Sequence, residues 1–169
     1  MNQILSDLYV RDSVTGLYNR MGYQKLSISY FTIMREKKMP VLVMFIDLDR
    51  LKYINDTFGH EYGDFAIISI AKAMLKHCDA DAIAARTGGD EFIVLEGAKD
   101  EESGRVLAQK IRTELSKAQR SMQLPFDLSA SIGAVVAHPG EENVLESDVK
   151  RAEMLMYEEK AEKKVSRDS

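Results

Sequence analysis

The chain is short of cysteine, of basic charge and of long apolar runs, and each shortage removes a class of explanation. It has one cysteine, Cys78, in 169 residues, so no internal disulfide can hold it. A chain of this length buries enough surface to fold without one, and a single thiol suits a reducing compartment. Basic charge is not in excess: 23 Lys and Arg against 27 Asp and Glu leave a formal charge of -4. A protein that grips nucleic acid regardless of sequence needs a basic face, so nucleic acid is not expected as a partner. A small anionic ligand remains compatible, because a few placed lysines suffice. No apolar run is long enough to span a bilayer, and Ile4, Leu5 and Leu8 stand among polar residues rather than in the apolar stretch of a signal peptide. If the chain is part of a longer sensor, an anchor could lie outside it. His60 and His77 lack partners at zinc-ligand spacing, and no serine sits in a recognisable nucleophile elbow.

What is present is the balance of an ordinary globular protein, with 45% apolar and 30% charged residues in a length that fits a single domain. Helical spacing of Ile4, Leu5 and Leu8 predicts a short helix over 2–11, followed by a turn at Asp12–Gly16. A second helix is expected to start at an Asn19 cap, to carry Tyr23, Leu26, Tyr30 and Ile33 on one face, and to stop before Pro40. Val41–Ile46 is apolar without alternation, which predicts a central strand covered on both faces. A short helix through Tyr53 and Ile54 follows, then a longer one with Phe65, Ile68, Ala71 and Leu75 inward. Ile83–Arg86 and Phe92–Leu95 flank Gly88 and Gly89 as a hairpin. A charged helix over 101–119 with Val106, Ile111 and Leu115 inward, a strand over Phe126–Val136 and a last helix from Ser147 aligning Val149, Ala152, Met156 and Lys160 complete the order. That order predicts an α+β fold, a mostly antiparallel sheet flanked by helices.

Acids stand where the fold makes them costly. Asp47 and Asp49 end the buried strand, and alternation puts both on one face. Asp49 serves equally well as a helix cap. For Asp47 the bland role of marking the strand's exit weakens once Asp90 and Glu91 are noticed in the hairpin turn. A turn needs the glycines but not two adjacent carboxylates, whereas a hard cation such as Mg²⁺ wants oxygen ligands and keeps phosphate oxygens among them. Asp47 and Asp90 could share such ions, as in two-metal phosphoryl chemistry.

Phosphates also need donors. Backbone N–H groups near Arg50 and Leu51, at the start of the next helix, could cradle an anion, with Lys52 in the same turn. Lys160 and Lys164 are four apart on the last helix and point the same way, though lysines there are usually just solvated. Asn55 and Asp64 could read a purine: a carboxylate accepts from guanine N1–H and N2–H, and an amide can donate to N3 or O6. Each is also an ordinary turn or first-turn residue.

Five blocks, in order, resemble the diguanylate cyclase (GGDEF) family: Asp12–Arg20, Asp47–His60 with Gly63-Asp64, Arg86–Phe92, Ser131–Gly133, and Ala152 through Met156-Tyr157 to Lys160. The resemblance covers nearly the whole chain, 1–169, as one domain, with 1–11 as a linker helix from an upstream sensory region. It implies a sheet like that of nucleotide cyclase and polymerase palm domains, with a ferredoxin-like core. It implies condensation of two GTP into cyclic di-GMP with release of pyrophosphate, across a homodimer in which each copy holds one GTP. By this carry-over Asp47, the Leu48 carbonyl, Asp90 and Glu91 hold Mg²⁺, with Mn²⁺ as the alternative ion. Asp47, Asp90 and Glu91 are the catalytic set, Glu91 at the metal or activating the ribose 3′-hydroxyl. Asn55 and Asp64 hold guanine; Arg50, Leu51, Lys52, Lys160 and Lys164 meet phosphates. The implied location is cytoplasmic, or the cytoplasmic part of a membrane-anchored sensor.

The chain departs from the family pattern in three places. Where product-inhibited members carry Arg-x-x-Asp, it has Asp79-Ala80-Asp81-Ala82; where Gly-Arg-Asn is usual, it has Lys163-Lys164-Val165; and no closing strand is expected after Val165. The competing expectations are a silent GTP-binding module regulating a partner domain, a product-binding effector, which the absent Arg-x-x-Asp disfavours, and an interaction domain, which leaves the acids unexplained.

Overall fold

A computed structural model describes residues 9–140 and 144–169. The expected helix over 2–11 lies outside these except for its last residues, of which Tyr9 and Val10 are helical. The described elements are α1 (Arg20–Glu36), β1 (Val41–Leu48), α2 (Leu51–Phe58), α3 (His60–His77), β2 (Ile83–Arg86), β3 (Glu91–Gly97), α4 (Ser103–Ser121), β4 (Ala130–Ala137) and α5 (Leu145–Asp168). The four strands form one antiparallel sheet in the order β2-β3-β1-β4. That is the expected α+β fold, with β1 central because its continuous apolar run can be covered on both faces. No described helix is long and apolar enough to cross a membrane.

Alternation along β1 divides the core. Leu42, Met44, Ile46 and Leu48 pack with α3 and α4, while Val41, Val43 and Phe45 pack with α1 and α5. Each fully buried aliphatic side chain contributes about 1.5–3 kcal/mol. Asp47 continues the odd-numbered series and therefore emerges toward α5. That helix lies directly on β4 at Gly133, where an added Cβ would stand 1.9 Å from the Ala152 carbonyl oxygen and 2.5 Å from the Met156 nitrogen. Glycine at this position brings α5 close enough for its side chains to reach the end of β1.

Asn19 caps α1 as expected, accepting from the Gly22 N–H at 2.8 Å. The inward helix faces differ from expectation. On α1 the buried residues are Gly22, Ser27, Phe31 and Met34, and Leu26 and Ile33 are exposed. On α3 Ala71 is buried as expected, but with Ala66, Ile67, Ile70 and Met74, and Leu75 is outside; on α4 Ile111 and Leu115 are buried as expected and Leu107 takes the place of Val106. These helices carry apolar residues on more than one face, so their packing angle, not their period, selects the buried stripe. β4 begins at Ala130 rather than Phe126 because its partner ends there: Leu48↔Ala130 is the last pair. The last helix runs through Val165 to Asp168, where a closing strand was not expected.

Candidate active site

Sheet register brings the acids together. Asp47 pairs with Glu91 across β3 and with Ser131 across β4. The Leu48 N–H donates to the Asp90 carbonyl at 2.8 Å, drawing the hairpin turn over the end of β1. Carboxylate oxygens of Asp47, Asp90 and Glu91 then lie within 4.8 Å of one another. Burial, together with the charges of Asp90 and Glu91, pushes the Asp47 carboxyl up to about 6 although Lys160 pulls the other way. An all-oxygen acidic set of this kind fits a hard divalent cation.

The turn glycines act differently from what a two-residue hairpin suggests. Neither takes a positive φ; instead a Cβ on Gly88 would stand 3.0 Å from Glu91 Oε2, so Gly88 makes room for that carboxylate. The turn is also held from outside. Arg86 donates to the Gly89 carbonyl at 3.2 and 2.9 Å and to Asp12 at 3.3 Å, and Arg20 donates to the Thr87 carbonyl at 3.1 Å. Asp12 is fixed in turn by the Thr15 N–H and hydroxyl. Burial disfavours its charge, but Thr15 and Arg86 outweigh burial and hold the carboxyl below its usual range. The segment Asp12–Arg20 is thus a strap over the hairpin, clipped by Tyr18 N–H to the Ala84 carbonyl and Arg86 N–H to the Tyr18 carbonyl. Neither Asp12 nor Arg86 was assigned a role from sequence, although Arg86 stands two residues before the glycines.

Donors flank the acids on one side. Arg50 takes a left-handed conformation (φ 60°, ψ 33°) and begins α2 with no side-chain cap, which leaves the first amides of that helix, Leu51's among them, open to an anion. Its guanidinium lies 3.8 Å over the Tyr53 ring, and Lys52 beside it is exposed. From α5, Lys160 Nζ reaches Asp47 Oδ1 at 2.6 Å. Burial works against its charge, but Asp47, Asp90 and Asp49 outweigh that and raise its pKa. Lys164 is exposed one turn further on; the lysine that turns inward is Lys163, which sequence did not single out. Asp49 does not cap α2: its carboxylate is buried and accepts from Ser129, Ser131 and Lys163.

The α2–α3 corner forms the other side. Gly59 turns the chain at φ +102°, and its N–H bonds the Asn55 carbonyl at 3.0 Å. The Asn55 amide lies against Gly63, where a Cβ would sit 1.8 Å from Asn55 Oδ1. Asp64 follows, exposed in the first turns of α3. The two candidate base readers are thereby brought to one corner. A cavity of about 650 Å³ lies elsewhere, between α1 and the start of α5, and holds none of these groups. Chemistry rather than concavity marks the site.

Residues 9–166 match the family described as diguanylate cyclase, GGDEF domain. The chain belongs to the GGDEF diguanylate cyclase family. It is 35% identical over 153 residues to diguanylate cyclase VdcA of Vibrio cholerae, covering 88% of this chain and 43% of that protein. Diguanylate cyclase DgcP of Escherichia coli is 33% identical over 156 residues, covering 90% of this chain and 45% of the relative. The chain thus spans under half the length of these curated relatives. The coiled coil and GGDEF domain of DgcB from Caulobacter crescentus, solved in complex with c-di-GMP, superposes with a TM-score of 0.79 at 25% identity, covering 95% of this chain and 85% of that one.

Proposed function

We propose that this GGDEF domain, residues 1–169, condenses two GTP into cyclic di-GMP and releases pyrophosphate. The observation that carries the proposal is the convergence of Asp47, Asp90 and Glu91 beside Lys160 and the open start of α2. Asp47, Asp90, Glu91 and the Leu48 carbonyl fit Mg²⁺ or Mn²⁺, being all oxygen and net negative. When bound, the ion offsets negative charge on the phosphates and favours the deprotonated 3′-oxygen. The protein's own groups do the rest. Asn55 and Asp64 hold guanine at the α2–α3 corner. Amides at Arg50 and Leu51, with Lys52, Lys160 and Lys164, orient the triphosphate so that pyrophosphate leaves in line. Glu91, given room by Gly88, receives the proton of the ribose hydroxyl as its oxygen bonds to the α-phosphorus of the other GTP.

One copy holds one nucleotide, so a second copy must present the other, making the active species a homodimer. The strap Asp12–Arg20 lies between the chain's beginning and the hairpin, a path by which an upstream sensory region could act. GTP as substrate and a lone thiol agree with a cytoplasmic setting. Chromatography of products from GTP and Mg²⁺ tests the proposal. Wild type should yield cyclic di-GMP, faster when dimerisation is enforced, while Asp47→Asn and Glu91→Gln should yield none above background. Absence of product from wild type at high protein concentration, with GTP still bound, would instead establish a silent regulatory module.

A further inference from the structure

Beside the acids lies a second polar cluster that the reaction as described does not use. Asp49 is 4% exposed, and its carboxylate accepts from the Ser131 hydroxyl at 2.6 Å, the Ser129 hydroxyl at 2.7 Å and Lys163 Nζ at 2.9 Å. Lys163 donates further to the Ala130 carbonyl at 2.7 Å and lies 3.1 Å from Glu159. Glu159 accepts from the Ile132 N–H at 3.0 Å and from Arg112 at 2.8 Å. Every member of the cluster is thus held by partners on β4, α4 or α5, or at Asp49 and Ser129, which flank β1 and β4.

Two lysines on one face of α5 therefore meet two aspartates two apart at the end of β1, and the two pairs are built differently. Among the described residues Lys160 has a single protein partner, an oxygen of Asp47 beside two further acids. Lys163 has three acceptors, and its aspartate has two further donors. A cation with one partner has a single bond to exchange for a phosphate oxygen, whereas one bound by three acceptors has three to lose. Asp49 is also the residue between Leu48 and the left-handed Arg50, so anchoring it sets the turn that opens α2.

We propose that Asp49 and Lys163 form a positioning pair: a fixed fulcrum that holds α5 in register with the β1–α2 turn, so that Lys160 exchanges Asp47 for a triphosphate oxygen. Neither residue touches the reacting atoms. The inference rests on the proposed GTP site and assigns Lys163, which stands where the family has glycine, a role in nucleotide affinity.

The test compares Lys163→Met, Lys163→Arg and Ser129→Ala with an unrelated surface control, Lys150→Met. Measured are KM for GTP, kcat, Tm, and equilibrium binding of 3′-deoxy-GTP with Mg²⁺, which carries the phosphates but no attacking hydroxyl. Lys163→Met should raise KM and the analogue's Kd about tenfold, the scale of a lost charged hydrogen bond, with a smaller change in kcat. Lys163→Arg should recover most of the affinity, and Ser129→Ala, which leaves the ion pair, should lose less. Should Lys163→Met fail to fold, a Ser129→Ala protein with weakened analogue binding still supports the pair. Wild-type KM and analogue binding in the Lys163→Met and Ser129→Ala proteins, whatever their Tm, overturn it, as does Lys163→Arg as defective as Lys163→Met. A wild type that binds the analogue without making product refutes the cyclase activity but leaves the positioning pair measurable; one that binds no nucleotide refutes both.

Discussion

Gly63 offers the sharpest way to ask whether Asn55 reads a base. An alanine Cβ there would stand 1.8 Å from Asn55 Oδ1, 2.8 Å from its Cγ and 3.3 Å from Leu51 Cδ1. Nearly all of that overlap falls on the Asn55 amide, whose backbone is pinned by the Gly59 N–H. The side chain must therefore rotate, at a cost of about 0.5–1.5 kcal/mol if it leaves its rotamer well. For a 169-residue domain that is a fall in Tm of a few degrees. The functional effect is larger. An amide turned away from guanine forfeits its hydrogen bonds, about 1–3 kcal/mol, or roughly ten- to hundredfold in affinity. Gly63→Ala should raise KM for GTP by that factor, with kcat changed little, since the acids and Lys160 lie elsewhere. The same displacement predicts non-additivity: Gly63→Ala placed on Asn55→Ala should add almost nothing, because the clashing group is already gone. Steady-state kinetics and melting curves for the two single variants and the double variant decide it. If Gly63→Ala lowers Tm but keeps the wild-type KM, or if the two losses add, Asn55 is not reading the nucleotide.

Other substitutions test the frame around the site. Gly133→Ala sets a Cβ against backbone atoms of α5, the Ala152 oxygen and the Met156 nitrogen, which cannot rotate away. A loss of about 3 kcal/mol or more is expected, seen as a drop in Tm of about 6–12 °C. Arg86→Met removes the clamp on the Gly89 carbonyl and on Asp12, and should lower kcat about ten- to hundredfold while GTP still binds at the α2–α3 corner. Glu96 is buried on β3, and burial, with Asp79 and Asp81 nearby, raises its pKa. The folded state therefore favours the protonated form: stability from this group is present below the ordinary carboxylate range and lost as pH rises through the folded value. Glu96→Gln should melt above wild type near pH 8, and the gap should close at about pH 4.

Much of this arrangement could be read from residue order. Val41–Ile46 announced a strand covered on both faces, Asn19 a cap, and the paired acids a carboxylate cluster, because each is a local conflict or preference that a few adjacent residues express. What escaped was settled by distant partners. Phe126 alternates like a strand residue, but β1 ends opposite Ala130, so Phe126 has no strand to pair with and instead packs on Phe58 and Tyr62. Leu26, Ile33, Leu75 and Val106 fit a helical stripe yet lie outside, on helices that are apolar on several sides and bury a neighbouring stripe. Asp49 looked like a helix cap because its buried partners, Ser129, Ser131 and Lys163, stand 80 to 114 residues away. Four-residue spacing paired Lys160 with Lys164, whereas the approach of α5 to β4 at Gly133 turns Lys163 inward.

The position of the acids is itself informative. Raising the Asp47 carboxyl from 3.8 to about 6 corresponds to at most about 3 kcal/mol of disfavoured charge at neutral pH. That is the burial of one or two aliphatic side chains, and β1 alone buries Val41, Leu42, Val43, Met44, Phe45, Ile46 and Leu48. A central strand covered on both faces is therefore the element best able to carry an unfavourable charge at its end. An edge strand such as β2, with four residues, has far less to spare. The hairpin that brings Asp90 and Glu91 adds repulsion, and the fold answers it from outside the acids, through Arg86 on the Gly89 carbonyl and Leu48 N–H on the Asp90 carbonyl. Those bonds fix the backbone without neutralising a carboxylate. The negative field stays available to a cation, and among the described residues Lys160 reaches into it through its bond to Asp47.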